Sequence, residues 1–287
     1  MKNYGLEALL SRAFEEDIPY GDLTTDALVS HKQSGKGSVT AKEEGIFAGG
    51  FVFQEVFRML NEDIRVTLLA EEGEMVQRGQ EVIAIEGSLN SILKGERIAL
   101  NLLQRLSGIA STTAKYVEKV KRTKSKITDT RKTTPGLRAI EKKAVQLGGG
   151  INHRLSLSDH VLIKDNHIIA AGGVKQAIRG CRKGLSHTVK VQVEVKNSVE
   201  LSQAIEENAD MILLDNMTNQ QMKDAVEFVA GRAILEASGN VTLDRIEEIA
   251  NTGVDIISIG ALTHSVKAMD FSLNLKQEKS LKNIEVE

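Results

Sequence analysis

The sequence predicts an α/β chain: an α+β first part of roughly 100 residues, followed by an α/β barrel. Three observations carry this expectation. From about Lys126 onward, short apolar runs (KITDT, HVLIKDN, VKVQVEVKN, DMILLDNM, RAILEASGN, DIISIGA) alternate with amphipathic segments such as SVELSQAIEENA, TNQQMKDAVEFVA and TLDRIEEIANTG. Repeated strand–helix units imply parallel strands with helical crossovers, and unbroken apolar runs suit strands buried on both faces. Each run ends in a polar or small residue: Asp129, Lys164, Glu194, Asp215, Glu236 with Ser238, and Gly260. From Lys164 onward these ends lie 30, 21, 21 and 24 residues apart, close to one βα unit each. In a barrel such ends converge on one mouth, where active sites sit. The competing fold is a Rossmann-type sheet, but the chain has no G-x-G-x-x-G between a strand and a helix, and no Walker A lysine.

The first part is read in order. Leu6, Leu9, Leu10 and Ala13 share one face of an opening helix, which DIPYGDLTTDAL breaks with Pro19 and Gly21. GSVTAKEEGIFAGG, IRVTLLAEEGEMVQRG and QEVIAIEGS have β character and glycine turns, and FVFQEVFRML between the first two reads as a helix. Ile98, Leu102, Leu103, Leu106, Ile109 and Ala110 then recur at helical spacing, predicting one or two long helices leading into the second part.

At 287 residues the chain suffices for two domains, or for a barrel with an attachment. Hydrophobic content of 41% and charged content of 26% are ordinary for a globular protein. A net charge of −2 argues against a whole-surface nucleic-acid binder while leaving room for a local anion site. The single cysteine, Cys181, removes any intramolecular disulfide or cysteine metal cluster and fits a reducing cytoplasm. The start of the chain lacks signal-peptide features, and no apolar run reaches membrane-spanning length.

The candidate chemistry lies at the strand ends. Lys164 follows HVLI directly, and a lysine there needs a partner or an anion. Three readings stand: an ion pair with Asp165 or a strand-end carboxylate, a Schiff-base nucleophile, or a clamp on phosphate. Glu194 and Asp215 end adjacent strands and could hold Mg²⁺, act as general acid and base, or balance Lys164 and Arg131. ASGNV and SIGAL place glycine turns at the last two strand ends, where barrels commonly hold a phosphate. Arg131-Lys132 follows a strand end, and His153-Arg154 follows a Gly148–Gly150 triplet; so many cations suit a polyanionic ligand. Lys142 and Lys143 read as solvated bystanders, His160 as a packing residue, His167 as a weaker candidate, and Arg97 as an ordinary surface residue.

These residues resemble a known family. TDTRKTTPGLRAIEKKAVQLGGGINHRLSLSDHVLIKDNH is similar to the signature of the quinolinate phosphoribosyltransferases, type II phosphoribosyltransferases. EDIPYGDLTTD, GERIALNLLQRLSGIAS, VQVEV, ILLDNM, LEASGNV and GVDIISIGALTHS extend the likeness, in order, over nearly the whole chain. The resemblance implies an N-terminal open α/β sandwich (1–108, joined by 271–287) and an irregular α/β barrel of six or seven strands (109–270). It implies transfer of phosphoribosyl from phosphoribosyl pyrophosphate (PRPP) to quinolinate with decarboxylation, giving nicotinate mononucleotide, pyrophosphate and CO₂ for NAD biosynthesis. It further implies a homodimer in which Arg97 reaches the partner's site. By the same resemblance, Arg131, His153 and Arg154 with that Arg97 hold the quinolinate carboxylates, and Lys132 and Lys164 meet carboxylate or phosphate near the reacting carbon. Glu194 and Asp215 position the ribose and Mg²⁺, and Ser238, Gly239, Asn240 and Gly260 hold the 5′-phosphate. The chain departs from the family pattern at Lys143, Lys196 and Asn240, where an aromatic residue, an acid and a second glycine are more usual.

Three alternatives stay open: a relative acting on another pyridine carboxylate or associated with molybdate transport, a Schiff-base aldolase using Lys164, and a non-enzymatic carrier suggested by EEGEMVQRGQEVIAIEGS. TRKTTPGLR, NHR and KDNH argue against the first, the arginines around Lys164 against the second, and the lack of a modifiable Met-Lys turn against the third.

Overall fold

A computed structural model describes residues 5–30 and 32–276. They form two compact units, one holding the described residues up to Ser111 and from Val266, the other Thr112–Ser265.

The first unit opens with α1 (Leu6–Asp17) and α2 (Leu23–Leu28), the latter capped by the Asp22 carboxylate, which accepts from Thr24 N and Thr25 N. There follow β1 (Ser34–Ala41), β2 (Gly45–Ile46), α3 (Gly50–Leu60), β3 (Arg65–Leu68), β4 (Met75–Val76) and β5 (Glu81–Ser88). The apolar stripe of α3 buries Val52, Phe53, Val56 and Phe57, which sequence periodicity marks as one face. A single helix, α4 (Leu89–Val120), follows where one or two are expected.

The second unit carries the strand–helix repeat. In order it contains β6 (Lys126–Thr128), α5 (Arg138–Leu147), β7 (Val161–Ile163), α6 (Asp165–Ala171), α7 (Val174–Lys183), β8 (Val191–Val195), α8 (Ser198–Glu206) and β9 (Met211–Asp215). It continues with α9 (Asn219–Val229), β10 (Ile234–Ser238), α10 (Ile246–Ala250), β11 (Ile256–Ser258) and α11 (Ala261–His264). Beyond it, β12 (Phe271–Lys276) pairs antiparallel with β1, so the chain returns to the first unit's sheet, ordered β12-β1-β5-β3. The rest of the 271–287 segment, from 277 on, lies outside the described residues.

Six parallel strands in the order β6-β11-β10-β9-β8-β7 build the irregular barrel. Among the described residues no ladder joins β6 to β7; a bridge from Thr128 to Ile151 extends the β6 edge instead. Side chains of a strand alternate between its faces. In β8, Val191, Val193 and Val195 are fully buried and contribute about 1.5–3 kcal/mol each. Gln192 and Glu194 take the other face. Helices start directly after the strand ends: Asn197 caps α8, and Thr218 with Gln221 forms a capping box on α9.

One expectation needs correction. The cationic segment after β6 is not a solvated loop throughout, because residues 138–147 form α5. Lys143 faces solvent, but Lys142 lies on the buried side, its ammonium paired with the Asp129 carboxylate. Consecutive helical residues point to different faces.

Candidate active site

Alternate residues of the barrel strands face one cleft. Leu162 and Lys164, Glu194, Leu213 and Asp215, Glu236 and Ser238, and Ser258 and Gly260 line it together, enclosing about 850 Å³. Arg131 and Lys132 enter after β6, and His153 and Arg154 from the segment leading to β7. The cleft therefore gathers Arg131, Lys132, His153, Arg154, Lys164, Glu194, Asp215, Ser238, Gly239, Asn240 and Gly260. Arg97 is not among its lining residues; it sits on the part of α4 in the first unit and is exposed in the single chain.

The cleft is rich in cations. Arg154 is only 9% exposed and gives Nη1 to the His160 carbonyl at 3.1 Å. Burial, then the charge of Arg131, pushes its guanidinium below the ordinary range. Arg131 Nε is buried without a hydrogen-bond partner. A buried donor of this kind is satisfied by a ligand anion, which a guanidinium meets with paired N–H groups. Lys164 does not pair with Asp165, which instead holds Lys196 at 3.3 Å across the turns after β7 and β8. His167 does not line the cleft; its Nδ1 accepts from Lys164 N at 3.0 Å, fixing the start of α6. His160 packs its ring 5.1 Å from that of His153.

The same cleft carries carboxylates. Burial, then the charge of Asp215, raises the Glu194 carboxyl above the usual range. Asp215 accepts from its neighbour Asn216 at 2.9 Å. Among the described residues no group of three or more His, Cys, Asp or Glu could cage a metal ion. Two carboxylates suit a hard cation that keeps water or substrate oxygens in its remaining positions, as Mg²⁺ does.

Backbone shapes the floor after β10 and β11. Gly239 has φ 93° and Asn240 φ 49°, both left-handed. A Cβ on Gly239 would lie 2.2 Å from Asn216 Oδ1, so only glycine fits. Asn240 tolerates its conformation, as asparagine does more readily than most residues, and its Nδ2 donates to Asn216 Oδ1 at 3.1 Å. Arg245 Nη1 holds the Asn240 carbonyl at 3.0 Å. The departure from a second glycine is thus accommodated without losing the turn. At the end of β11, a Cβ on Gly260 would lie 3.0 Å from Lys132 Cδ, so the lysine stem lies over bare backbone.

Sequence reasoning missed Thr130, Asn216, Thr242 and His264, which also line the cleft. Asn216 was the most accessible to it: a polar dipeptide closes DMILLDNM. His264 comes from a four-residue helix with no periodic signal.

The chain is similar to known proteins along most of its length. Residues 22–107 match the family model for the N-terminal domain of quinolinate phosphoribosyl transferase, and residues 109–274 match that for its C-terminal domain. A probable nicotinate-nucleotide pyrophosphorylase (carboxylating) of Bacillus subtilis is 41% identical over 275 residues, spanning 96% of this chain and 95% of the relative. The nicotinate-nucleotide pyrophosphorylase (carboxylating) of Mycobacterium leprae is 41% identical over 274 residues, spanning 93% and 95%. The crystal structure of NadC from Streptococcus pyogenes superposes with a TM-score of 0.92 at 41% identity, covering 96% of this chain and 98% of that one.

Proposed function

The chain belongs to the quinolinate phosphoribosyltransferase family, and from that premise we propose that its barrel cleft joins quinolinate to the phosphoribosyl group of PRPP. It is a phosphoribosyltransferase of pyridine-nucleotide synthesis, releasing CO₂ and giving nicotinate mononucleotide. The observation that carries the residue assignment is the gathering in one cleft of guanidinium and ammonium groups with the carboxylates of Glu194 and Asp215.

In this reading Arg131 and Arg154 receive the two carboxylates of quinolinate, Arg131 through the donor left unpartnered in the free protein. Lys132 and Lys164 stand at the cleft with flexible ammonium groups that meet carboxylate or phosphate oxygens. The turn formed by Ser238, Gly239 and Asn240, with Gly260, receives the 5′-phosphate on backbone N–H groups. Departure of pyrophosphate develops positive charge at the anomeric carbon, and Glu194 and Asp215 are the anions that stabilise it. The same two carboxylates would hold Mg²⁺, which when bound offsets charge on the leaving pyrophosphate. The pyridine nitrogen attacks unaided, so no Ser, Cys or His nucleophile is required. Carbon dioxide then leaves because the new pyridinium stabilises the carbanion at the adjacent carbon, and that carbon takes up a proton from water to give nicotinate mononucleotide. The surrounding cations orient the acceptor rather than exchange protons.

The family resemblance adds a homodimer with Arg97 supplied across the interface, and its exposure in the single chain leaves it available for that role. Mixing Arg97→Ala and Asp215→Asn proteins tests it: shared sites restore part of the activity, independent sites restore none. A reducing, cytoplasmic setting suits the single Cys181. Among the described residues no helix is long and apolar enough to cross a membrane.

The deciding experiment is formation of nicotinate mononucleotide from quinolinate, PRPP and Mg²⁺, with each omitted in turn. Omission of any one abolishes product in this reading. Product from nicotinate alone, with none from quinolinate, would overturn it.

A further inference from the structure

The strand ends at β7 and β8 carry a cation that the proposed chemistry does not use. Lys196 is the first residue after β8, two residues beyond Glu194, and Asp165 directly follows Lys164 after β7. Lys196 Nζ lies 3.3 Å from Asp165 Oδ2, so one ion pair spans the turns after two neighbouring strands. Its side chains are 51% and 50% exposed. Neither end of the pair needs the other to hold its backbone. Lys196 N donates to Glu200 Oε2 at 2.7 Å, and Asn197 beside it caps α8. Asp165 Oδ1 accepts from Asn166 N at 2.7 Å. Both turns are therefore fixed locally, while the four-carbon lysine stem stays free to turn.

Charge and strand order decide what that stem can meet. At these strand ends Asp165, Glu194 and Asp215 stand with Lys164 and Lys196, close enough to act on one another. Asp165 first, then the charges of Asp215 and Glu194, hold the Lys196 ammonium above its ordinary range. An acid at 196, the family's more usual residue, would set Lys164 against the carboxylates of Asp165, Glu194, Asp215 and its own. An exposed pair of single charges is weak and screened by salt, so an anion of several charges competes well for the ammonium. The strands run in the order β11-β10-β9-β8-β7. The turns after β11 and β10 receive the 5′-phosphate in the reading above, and Asp215 and Glu194 on β9 and β8 meet the ribose. The pyrophosphate, at the other end of PRPP, then extends toward β7. Lys164 lines the cleft there; Lys196, with its ammonium on Asp165, is not itself a lining residue.

We propose that Lys196 is a further cation for the pyrophosphate of PRPP: its ammonium exchanges the Asp165 carboxylate for a pyrophosphate oxygen when the substrate enters. The proposal rests on the reading of the cleft as a PRPP site. The exchange replaces an exposed pair by contact with a polyanion and leaves Asp165 on its bond to Asn166 N. It sets a second ammonium beside that of Lys164, from the neighbouring strand end. Negative charge that builds on the departing pyrophosphate is stabilised by a cation already in contact with it, so one residue serves both binding and departure. Quinolinate is met by Arg131 and Arg154 from the segments after β6. Lys196 therefore acts on one substrate and not on the other.

The test measures equilibrium binding of inorganic pyrophosphate and, separately, of quinolinate to the full-length protein by calorimetry, at fixed Mg²⁺ and salt. Lys196→Met keeps most of the stem and removes the charge. It is expected to raise the Kd for pyrophosphate about tenfold, the scale of one lost hydrogen bond to a charged group, and to leave the Kd for quinolinate within about twofold. Lys196→Arg keeps most of the pyrophosphate affinity. Asp165→Asn separates the proposal from a purely structural pair: it frees the ammonium, so pyrophosphate binds as tightly as in wild type or more tightly. If Asp165→Asn instead loses pyrophosphate affinity as Lys196→Met does, the pair only ties two turns together and the proposal is overturned. An unchanged pyrophosphate Kd in Lys196→Met overturns it too, as does equal weakening of both ligands. A wild-type protein that binds neither PRPP nor pyrophosphate overturns the reading of the cleft and the proposal with it, and that failure is seen before any variant is compared.

Discussion

The ammonium of Lys142 sits against the carboxylate of Asp129 with the two side chains 3% and 0% exposed. Asp129 also accepts from Asn152 Nδ2 at 2.6 Å and His153 N at 2.9 Å, and Lys142 donates to the His153 carbonyl at 3.0 Å. The pair thus ties the end of β6 and α5 to the segment that delivers His153 and Arg154. Burial pushes the Asp129 carboxyl up and the Lys142 ammonium down, and their mutual hydrogen bond opposes both shifts. Removing one partner strands the other charge in the interior. Lys142→Met or Asp129→Leu alone is expected to lower unfolding free energy by about 3–5 kcal/mol in urea titrations. The double substitution recovers a large part of that loss. Additive losses in the double variant would show that the pair is not coupled.

That pair also marks where sequence reading stops. The strand ends were legible because unbroken apolar runs and period-2 alternation are local signals: VQVEV and MILLD each announce which residue faces inward. Lys142 and Lys143 are adjacent and chemically alike, yet one is buried and one exposed. Only the face that α5 turns toward Asp129 separates them, and that is set by tertiary packing. His153 and Glu236 meet for the same reason, across the barrel from distant segments. The convergence of barrel strand ends on one mouth already grouped Lys164, Glu194 and Asp215, the resemblance to a family added the role of Arg131 beside them, and the alternation of strand side chains gives the physical cause.

The Glu194 carboxyl should respond to the charge of Asp215. Burial comes first and the Asp215 charge second in raising the Glu194 carboxyl. If Glu194 acts as an anion, activity on the acid side begins to fall at a higher pH than an ordinary glutamate would give. Asp215→Asn removes the second cause and leaves the first, so the Glu194 midpoint moves down without reaching the exposed value. Carboxyl ¹³C titration of the free protein reads this without turnover. The stability term has the matching sign: a raised acid favours the folded state while protonated, and that contribution is lost as pH climbs through the folded pKa. An unmoved or rising midpoint in Asp215→Asn would contradict the assigned cause.

The turn after β10 makes opposite predictions at adjacent residues. Gly239→Ala places a methyl 2.2 Å from Asn216 Oδ1 at a left-handed φ of 93°. The turn must open, and the KM for PRPP is expected to rise at least tenfold, an order-of-magnitude expectation for about 1.4 kcal/mol of lost binding. Asn240→Gly keeps φ 49° accessible and loses only the amide contact to Asn216. Its effect on thermal stability stays small, within about 0.5 kcal/mol. Asn240→Val, β-branched at the same φ, costs about 1–2 kcal/mol. If Gly239→Ala and Asn240→Gly behaved alike in PRPP kinetics, the turn would not be the phosphate receptor.

Gly260 separates binding from folding at the neighbouring strand end. Its φ is an ordinary −65°, so alanine introduces no backbone strain. The new methyl would approach Lys132 Cδ at 3.0 Å and His264 Cδ2 at 3.1 Å, both on side chains free to swing aside. Stability should therefore change little, with a thermal midpoint within about 4 °C of wild type, the shift about 1 kcal/mol gives in a domain of this size. Lys132, however, loses the bare backbone over which its stem lies. Its ammonium is displaced in the cleft, and the phosphate that Gly260 would meet is crowded at the same time. kcat/KM is expected to fall about 10- to 100-fold, as displacement of a positioned group does. Lys132→Ala in the Gly260→Ala background then adds little further loss, because the two changes disable one contact. A full, multiplicative loss in the double variant would mean that Lys132 and Gly260 act independently.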